Sequence, residues 1–332
     1  MTGRQTCAVV GAGAWGTALA ISLARAGREV RLWALEEDVA ESINVRRCNE
    51  RFLADAPIPA SICASSKIEE VVGDAEYVVM VAPSHVTRAV AESAQPYLRA
   101  DATVVVASKG IEQHTLALMT DVVDDVFGRP GSVALSGPSF AIEVARGQPT
   151  AIVAASADPA AAARVQQLFH SPSMRIYTQD DVIGVELAGA LKNVMAVATG
   201  VTEGLELGFN ARAALITRGL AEMTRLGVAL GAQPSTFAGL AGMGDLVLTC
   251  TGLLSRNRAV GVEIGRGGTL DDALSGRETV AEGVITARSA KALADRHGVT
   301  MPIVDAVNAV LFDGQSARDS IPALMGRDPR AE

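Results

Sequence analysis

The chain has 332 residues, a formal net charge of −8, 49% hydrophobic residues and 20% charged residues. A single core usually stops growing near about 250–300 residues, so the length predicts two domains. The composition excludes a largely disordered chain. The acidic balance, with no cluster of Lys and Arg, argues against a nucleic-acid-binding protein.

Cysteine, histidine and terminal patterns limit the compartment and the chemistry. No pair of the four cysteines has CxxC spacing, which predicts reduced thiols in a cytoplasmic protein. The four histidines lie far apart in sequence, so no metal site is expected. The first apolar stretch runs directly into a glycine motif, and no run of about 18 uncharged apolar residues exists, so neither a cleaved leader nor a membrane span is expected.

Short, Val-rich apolar runs alternate with helix-like segments in the first half of the chain. Continuous apolar strands are typical of parallel sheets that are buried on both faces. The predicted strands are Thr6–Val10, Glu29–Ala34, Tyr77–Ala82, Thr103–Ala107, Ser132–Leu135, Thr150–Ala154 and Met174–Tyr177. The helical segments between them include Trp15–Ala26, His85–Leu98 and Pro159–Phe169. This alternation predicts an α/β fold with a Rossmann-type, doubly wound parallel sheet.

The pattern changes near residue 180, where strand-like runs end and long helical segments begin. We therefore expect a dinucleotide-binding domain at 1–180 and an all-α substrate domain at 181–332. The predicted helices of the second domain are Val182–Thr202, Ala211–Leu230, Val280–His297 and Ile303–Phe312.

A GxGxxG motif follows the first predicted strand and opens the first predicted helix. Gly11 permits the tight turn, Gly13 lets a pyrophosphate approach the backbone, and Gly16 lets the helix pack against the strand. The helix N-terminus attracts the phosphates. A purely structural strand–turn–helix is the alternative interpretation.

The second predicted strand leads into three carboxylates, Glu36, Glu37 and Asp38. An acidic residue about 20 residues past the glycine motif normally accepts hydrogen bonds from the adenosine ribose. Glu36 has that position, and we expect no Arg or Lys nearby. A 2′-phosphate would be repelled there, so we expect NAD to be preferred over NADP. Alternatively, these carboxylates simply begin the next helix.

Two further segments follow predicted strands of the sheet, where ligands bind in open α/β folds. Lys109 comes after Thr103–Ala107 and can reach a ligand as a point charge. The turn from Ser136 to Ala141 offers backbone and hydroxyl donors. A solvated lysine and an ordinary turn are the alternatives.

Lys192 is the most informative residue of the second half. Its neighbours on a helical face are apolar or small, and lysine is rarely buried without a partner. Removal of the ammonium from water makes it a usable proton donor or acceptor. Asp245, which also lies among apolar residues and glycines, is its natural partner. A lysine that extends past small residues into water is the alternative.

Ser255 predicts an N-cap that opens a helix through Arg256, Asn257 and Arg258. An arginine beside free amides at a helix start suits a phosphate or a carboxylate. Ordinary capping with surface arginines explains the pattern equally well.

Seven segments together resemble the bacterial-type NAD(P)-dependent glycerol-3-phosphate dehydrogenases, in order and over most of the chain. These segments are GAGAWGTALA, SKGIE, LSGPSFAIEVARG, ELAGALKNVMAVATG, GLAGMGDLVLTCTG, SRNRAVG and VAEGV. The resemblance implies interconversion of dihydroxyacetone phosphate and sn-glycerol 3-phosphate, with a product that feeds glycerophospholipid synthesis, in a cytoplasmic homodimer.

The resemblance also implies roles for individual residues. Lys192 is the proton acceptor or donor, assisted by Lys109 and Asp245. The implied substrate-binding residues are Lys109, Gly137, Ser139, Lys192, Asp245, Ser255, Arg256 and Asn257. The implied cofactor-binding residues are Ala14, Trp15, Lys109, Ala141, Arg256, Val280 and Glu282. They add to the cofactor-binding residues already expected from the glycine motif and strand end, Gly11, Gly13, Gly16 and Glu36.

The chain departs from the family pattern at four positions. Ala14 stands where a Ser is frequent, and Met243 where a Leu is frequent. Leu35-Glu36 replaces a His-Arg pair, which favours NAD. A 3-hydroxyacid or 6-phosphogluconate-type dehydrogenase, or a non-catalytic NADH-binding regulator, are the alternative functions.

Overall fold

The computed structural model of the chain describes residues 5–276 and 281–320, which fold into two compact units. The first unit takes the described residues of Met1–Lys109 and Ala117–Glu186, and the second takes those of Gly110–Leu116 and Leu187–Glu332. The division thus falls inside a long helix, whereas the sequence places the boundary before this helix, near residue 180.

The first unit is built on one eight-stranded sheet with the order β3-β2-β1-β4-β5-β6-β7-β8. All neighbouring strands are parallel except β6 and β7, which are antiparallel. The strands are β1 Thr6–Val10, β2 Glu29–Trp33, β3 Ile62–Ser65, β4 Tyr77–Met80, β5 Thr103–Val106, β6 Val133–Ser136, β7 Thr150–Ala155 and β8 Met174–Gln179.

Helices cover both faces of this sheet, and strand β1 shows how the sequence achieves this. Cys7 and Val9 are buried in one core, whereas Ala8 and Val10 are buried in a second core on the opposite face. Side chains alternate between the faces of a strand, so a continuous apolar run supplies both cores. The helices of this unit are α1 Ala14–Arg25, α2 Glu37–Glu41, α3 Ile68–Val72, α4 Thr87–Ala94, α5 Met119–Phe127, α6 Ala141–Ala145 and α7 Pro159–Phe169.

The predicted doubly wound sheet is confirmed, with differences in detail. Strand β3 was not predicted, because Ile62–Ser65 is only four residues long and carries Cys, Ala and Ser rather than Val-type residues. The single helix expected over His85–Leu98 is wrong. It is a 3₁₀ turn at Ser84–Val86, helix α4, and a second 3₁₀ turn at Gln95–Tyr97, where a proline interrupts regular helical bonding.

The described part of the second unit is helical, as predicted. Its helices are α8 Val182–Gly204, which begins before the division, α9 Gly208–Ala229, α10 Pro234–Ala238, α11 Asp245–Thr251, α12 Arg256–Gly265, α13 Leu270–Leu274, α14 Glu282–Arg296 and α15 Pro302–Phe312. Helix α8 is the one described helix long and apolar enough to cross a membrane, but 89% of its most apolar window is buried inside the protein. It is therefore a central core helix.

Helices α8 and α12 approach each other so closely that only glycine fits at the contact. A Cβ atom on Gly200 would lie 2.1 Å from the carbonyl oxygen of Arg258, and one on Gly261 would lie 2.0 Å from that of Val197. Beside this contact, the Arg258 guanidinium donates two hydrogen bonds to Glu203, at 2.9 and 2.5 Å. The glycines and this ion pair fix the start of α12 against α8.

Candidate active site

The glycine turn between β1 and α1 has the geometry that a pyrophosphate requires. Gly11 has a φ of 123°, in the region that favours glycine, and its N–H donates to the Trp33 carbonyl at 3.1 Å. A Cβ on Gly16 would lie 1.8 Å from the Gly11 oxygen, so the helix packs directly on the strand. A Cβ on Gly13, the N-cap of α1, would meet nothing within 4 Å. The backbone at Gly13 is therefore open to a ligand.

Trp15 provides a second sign that this turn is built for a ligand. Its indole Nε1 is buried and has no hydrogen-bond partner within the described protein. A buried donor without a partner is costly, and a bound polar group removes that cost. Together with the open backbone at Gly13 and the positive end of α1, this donor fits a dinucleotide. Ala14 and Ala141 are partly buried and pack against the hydrophobic core that contains Cys7 and Val9.

Glu36 lies just beyond β2 and is the N-cap of α2, but its surroundings differ from the expectation. The prediction that no Arg or Lys lies nearby is wrong, because Arg51 Nη1 is 3.6 Å from Glu36 Oε1. Sequence proximity did not reveal this cation, because helix α2 and a π-helical turn at Ser42–Arg46 separate the two residues along the chain. Arg51 itself lies in an irregular turn that follows them. The turn is held by Asn49, whose amide donates to the Ala12 carbonyl at 2.8 Å.

A second polar cluster lies after strands β5 and β6. Lys109 Nζ donates to the Gly137 carbonyl at 3.2 Å, and Ser139 Oγ donates to the same oxygen at 2.9 Å. Gly137 has a φ of 143°, and a Cβ there would lie 2.9 Å from the backbone of Ile152. The nearby Ser136 hydroxyl is buried without a partner in the described structure. The predicted residues Lys109, Gly137 and Ser139 thus form one hydrogen-bonded cluster.

The second unit contains a buried ion pair between Lys192 and Asp245. Lys192 Nζ donates to Asp245 Oδ1 at 2.6 Å and to Thr249 Oγ1 at 2.9 Å. The side chain of Lys192 is 11% exposed and that of Asp245 is 1% exposed, so the lysine does not extend into bulk water. Burial raises the pKa of the neighbouring Cys250 thiol to about 12, and this thiol therefore remains protonated at neutral pH.

A π-helical turn at Leu240–Gly244 positions the carboxylate of this pair. A Cβ on Gly242 would lie 2.1 Å from the Phe237 carbonyl oxygen, so the tight turn requires glycine. Asp245 then begins α11 and is buried within its first turn. Thr249 lies one helical turn further and donates to the Asp245 backbone oxygen at 2.7 Å.

The start of α12 carries the next predicted group. Ser255 is the N-cap, as predicted, and its side chain accepts from the Arg258 N–H at 3.3 Å. Asn257 donates to Asn193 Oδ1 and accepts from the Gly283 N–H, both at 2.9 Å. Asn257 therefore joins the starts of α12 and α14 to helix α8, beside Lys192.

Arg256 is exposed at the first turn of α12, where it can meet an anion. Although the residue as a whole is exposed, the surrounding protein displaces part of the water around its guanidinium and lowers its pKa below the ordinary value, and the negative charge of Glu282 opposes this change. Glu282 is the first residue of α14. Val280, the remaining predicted cofactor residue, lies outside the described residues.

Comparison with known proteins establishes the family. Residues 6–162 match the N-terminal model and residues 181–322 match the C-terminal model of NAD-dependent glycerol-3-phosphate dehydrogenase. The chain belongs to this family. It is 52% identical over 330 residues to a Koribacter versatilis relative and 54% identical over 329 residues to a Geobacter sulfurreducens relative, both named glycerol-3-phosphate dehydrogenase (NAD(P)+). Each alignment covers 98% of both chains.

A solved glycerol-3-phosphate dehydrogenase from Coxiella burnetii supports the same assignment. It superposes with a TM-score of 0.94 at 37% identity, and the alignment covers 98% of this chain and 99% of that one. The predicted family, fold class and enzyme class are therefore confirmed. This glycerol-3-phosphate dehydrogenase family member has a dinucleotide-type turn in one unit and a buried lysine–carboxylate pair in the other.

Three polar residues of this glycerol-3-phosphate dehydrogenase family member were missed by sequence reasoning. Thr249 carried a usable signal, because it lies four residues after Asp245 on the same helical face. Asn193 follows Lys192 directly, but its partner Asn257 is distant in sequence. Arg51 gave no periodic signal, because it lies in an irregular turn.

Within 5–276 and 281–320, no group of three or more His, Cys, Asp and Glu side chains is placed to hold a metal ion. The four cysteines are free thiols.

Proposed function

We propose that this chain catalyses reversible hydride transfer between NAD(P) and C2 of a three-carbon phosphate. In the reducing direction, dihydroxyacetone phosphate, NAD(P)H and one proton give sn-glycerol 3-phosphate and NAD(P)+. The family membership supports the substrate, because the relatives at about half identity carry this activity in their names. A bound nicotinamide supplies or accepts the hydride.

The buried Lys192–Asp245 pair is the observation on which the proposed mechanism depends. As hydride reaches C2, negative charge develops on the substrate oxygen, and the Lys192 ammonium donates a proton to it. In the oxidising direction, the neutral amine accepts that proton. Asp245 and Thr249 hold the nitrogen in position through two hydrogen bonds, which reduces the orientational freedom that the reaction must otherwise overcome.

The remaining predicted residues bind the substrate in this proposal. Arg256 pairs with the phosphate, because a guanidinium at a helix start offers several parallel donors. The Ser255 hydroxyl and Asn257 amide complete that end of α12. Lys109, whose ammonium donates to the Gly137 carbonyl, adds positive charge toward the substrate oxygens, and Gly137 and Ser139 bind the substrate beside it.

The cofactor-binding residues in this proposal are those of the glycine turn, with Glu36, Lys109, Ala141, Arg256, Val280 and Glu282. The glycine turn binds the pyrophosphate, and Glu36 accepts hydrogen bonds from the adenosine ribose. NAD is the preferred cofactor in this proposal, since Glu36 and the following Glu37 and Asp38 repel a 2′-phosphate more strongly than the nearby Arg51 attracts it. We further propose that the enzyme is a cytoplasmic homodimer whose product supplies glycerophospholipid synthesis.

The test is the turnover of dihydroxyacetone phosphate by variants of Lys192. Lys192→Arg preserves the charge pair with Asp245 but cannot release a proton at ordinary pH. We expect its kcat to fall by about 10²–10⁴, the usual contribution of general acid–base catalysis, while NADH binding is nearly unchanged. Lys192→Ala removes the same function but also removes the positive charge beside the buried Asp245 carboxylate, so the thermal stability of this variant is measured in parallel.

The matched control is Lys291→Ala, which removes an exposed lysine of the same unit that pairs with Asp295 and Asp305. We expect it to keep wild-type kcat. If Lys192→Arg retains more than about a tenth of wild-type kcat, Lys192 is not the proton donor. A 3-hydroxyacid or 6-phosphogluconate-type enzyme would instead turn over its own substrate in a panel. A regulator would bind NADH without oxidising it.

A further inference from the structure

An arginine and a glutamate share the end of strand β2, where the adenosine ribose is expected to bind. Arg51 Nη1 lies 3.6 Å from Glu36 Oε1, and the two side chains are 36% and 31% exposed. The distance exceeds that of a direct hydrogen bond, and exposed pairs of this kind contribute little to stability. A ligand anion can therefore compete with Glu36 for the guanidinium.

Buried hydrogen bonds hold the turn that carries Arg51 against the glycine turn. The fully buried amide of Asn49 donates to the Ala12 carbonyl and to Thr17 Oγ1, both at 2.8 Å. Its oxygen accepts from the Phe52 N–H at 3.1 Å. Arg51 thus stands between two anchored residues, and its position beside the glycine turn follows from the fold.

The Arg51 guanidinium also has a fixed support on its other side. Its central carbon lies 5.3 Å from the centre of the Phe52 ring, within the range of a cation–π contact. An arginine held in this way loses less conformational freedom when it binds a phosphate than a freely extended one does. The structure therefore places a pre-oriented phosphate-binding group next to a ribose-binding carboxylate.

We propose that the Glu36–Arg51 pair determines the choice between NAD and NADP in this enzyme. The inference rests on the proposed function and extends it to cofactor specificity. Glu36 accepts hydrogen bonds from the ribose hydroxyls of NAD. Arg51 releases Glu36 and pairs with the 2′-phosphate of NADP, partly compensating the repulsion between that phosphate and the carboxylate. The pair thus admits both cofactors, and the carboxylate favours NAD.

Fragments of the two cofactors test this inference without any turnover. Adenosine 2′,5′-bisphosphate carries the 2′-phosphate, and adenosine 5′-monophosphate lacks it. Calorimetric titration of the full-length protein measures the Kd of each. For Arg51→Gln we expect the Kd of the bisphosphate to rise about tenfold or more, as for loss of a charge-assisted hydrogen bond, and that of the monophosphate to change less than about twofold.

Glu36→Gln is the reciprocal variant, because it removes both the repulsion of the phosphate and the competing attraction of the carboxylate for the Arg51 guanidinium. We expect it to bind the bisphosphate more tightly than wild type and the monophosphate more weakly. Arg46→Gln is the matched control. It removes a nearby exposed arginine that pairs with Glu50 at 3.2 Å, and it should change both Kd values less than about twofold.

Two results overturn the inference. One is an equal loss of affinity for both fragments in Arg51→Gln, which would mean a general effect on the site. The other is an equal selective loss in Arg46→Gln, which would mean that only the overall charge matters. NADH and NADPH titrations followed by nicotinamide fluorescence extend the comparison to the intact cofactors. Failure of the proposed function appears separately, as absent dihydroxyacetone phosphate turnover in a wild-type protein whose fragment binding is normal.

Discussion

At the scale of single residues, the hydroxyl of Thr249 is a positioning group for the catalytic lysine. It accepts from Lys192 Nζ and donates to the Asp245 backbone, so its orientation is fixed from both sides. We predict that Thr249→Val lowers kcat by about tenfold, because a hydrogen bond to a charged group contributes roughly 1.5–3 kcal/mol. NADH affinity should stay unchanged.

The conservative variant Thr249→Ser keeps the hydroxyl and should restore kcat to within about threefold of wild type. The dependence of kcat on pH is the second readout, since loss of the hydrogen bond to the ammonium should move the limb assigned to Lys192 to lower pH. If Thr249→Val and wild type share the same kcat and pH profile, the hydroxyl has no part in positioning Lys192.

The sequence alone revealed individual site residues where a charged side chain stands among apolar neighbours. Lys192 and Asp245 stood out because each is charged among apolar neighbours, and the structure pairs them as expected. Arg51 and Asn193 could not be found in this way. An arginine in an irregular turn and an asparagine after a lysine are both ordinary until the fold brings Glu36 or Asn257 to them.

At the scale of elements, the contact of α8 with α12 sets the position of the residues at the start of α12. A Cβ on Gly261 would lie 2.0 Å from the Val197 oxygen and 2.8 Å from the Val201 nitrogen, both atoms of the backbone. We predict that Gly261→Ala destabilises the protein by about 1–3 kcal/mol, the usual cost of overpacking, although alanine has the higher helix propensity. Thermal unfolding measures the effect.

Activity provides a second readout of the same substitution, because a shifted α12 displaces Ser255 and Arg256 together. The KM for dihydroxyacetone phosphate should therefore rise more than that for NADH. Ala214→Ser is the control, because it also enlarges a small side chain on a helix but at an exposed position of α9. It should change Tm by less than about 2 °C. A wild-type Tm in Gly261→Ala would mean that α8 and α12 can move apart without loss of stability.

Elements were predictable in proportion to their length and periodicity. The Val-rich strands and the long helices α8, α9 and α15 gave clear signals, and their observed bounds are close to those expected. Short elements gave no comparable sequence signal. The π-helical turn at Leu240–Gly244 and helix α11 share a glycine-rich stretch that reads as a loop, because its close packing against Phe237 is a property of the folded unit.

At the scale of the whole molecule, two buried glutamates each accept backbone hydrogen bonds at a helix start. Glu186 accepts from the Thr120 N–H at 2.9 Å, near the start of α5, and from the Thr120 hydroxyl. Glu222 accepts from the Ile303 N–H at 2.9 and 3.1 Å, at the start of α15. Burial raises the pKa of each carboxyl from 4.5 to about 7.

The sign of the resulting pH dependence follows from which state holds the proton more tightly. Between pH 4.5 and 7 the folded protein retains protons that the unfolded chain has lost, so stability falls as pH rises. A pKa raised from 4.5 to about 7 corresponds to roughly 3 kcal/mol per group, fully lost above pH 7. We predict that Glu186→Gln, which keeps an oxygen to accept from the Thr120 N–H, removes the contribution of residue 186 to the pH dependence of stability.

The measurement is the difference in Tm between Glu186→Gln and wild type, taken at pH 5 and at pH 8. At pH 5 the wild-type carboxyl is protonated in the folded state, so the difference should be small. At pH 8 the wild type buries a charge beside Asp121 and Asp124, whose negative charges add to the cost, and the variant should gain several degrees. Glu69→Gln, which removes an exposed carboxylate of the same unit, is measured at both pH values as the control. An equal difference at both pH values for Glu186→Gln would show that this carboxyl titrates alike in the folded and unfolded states.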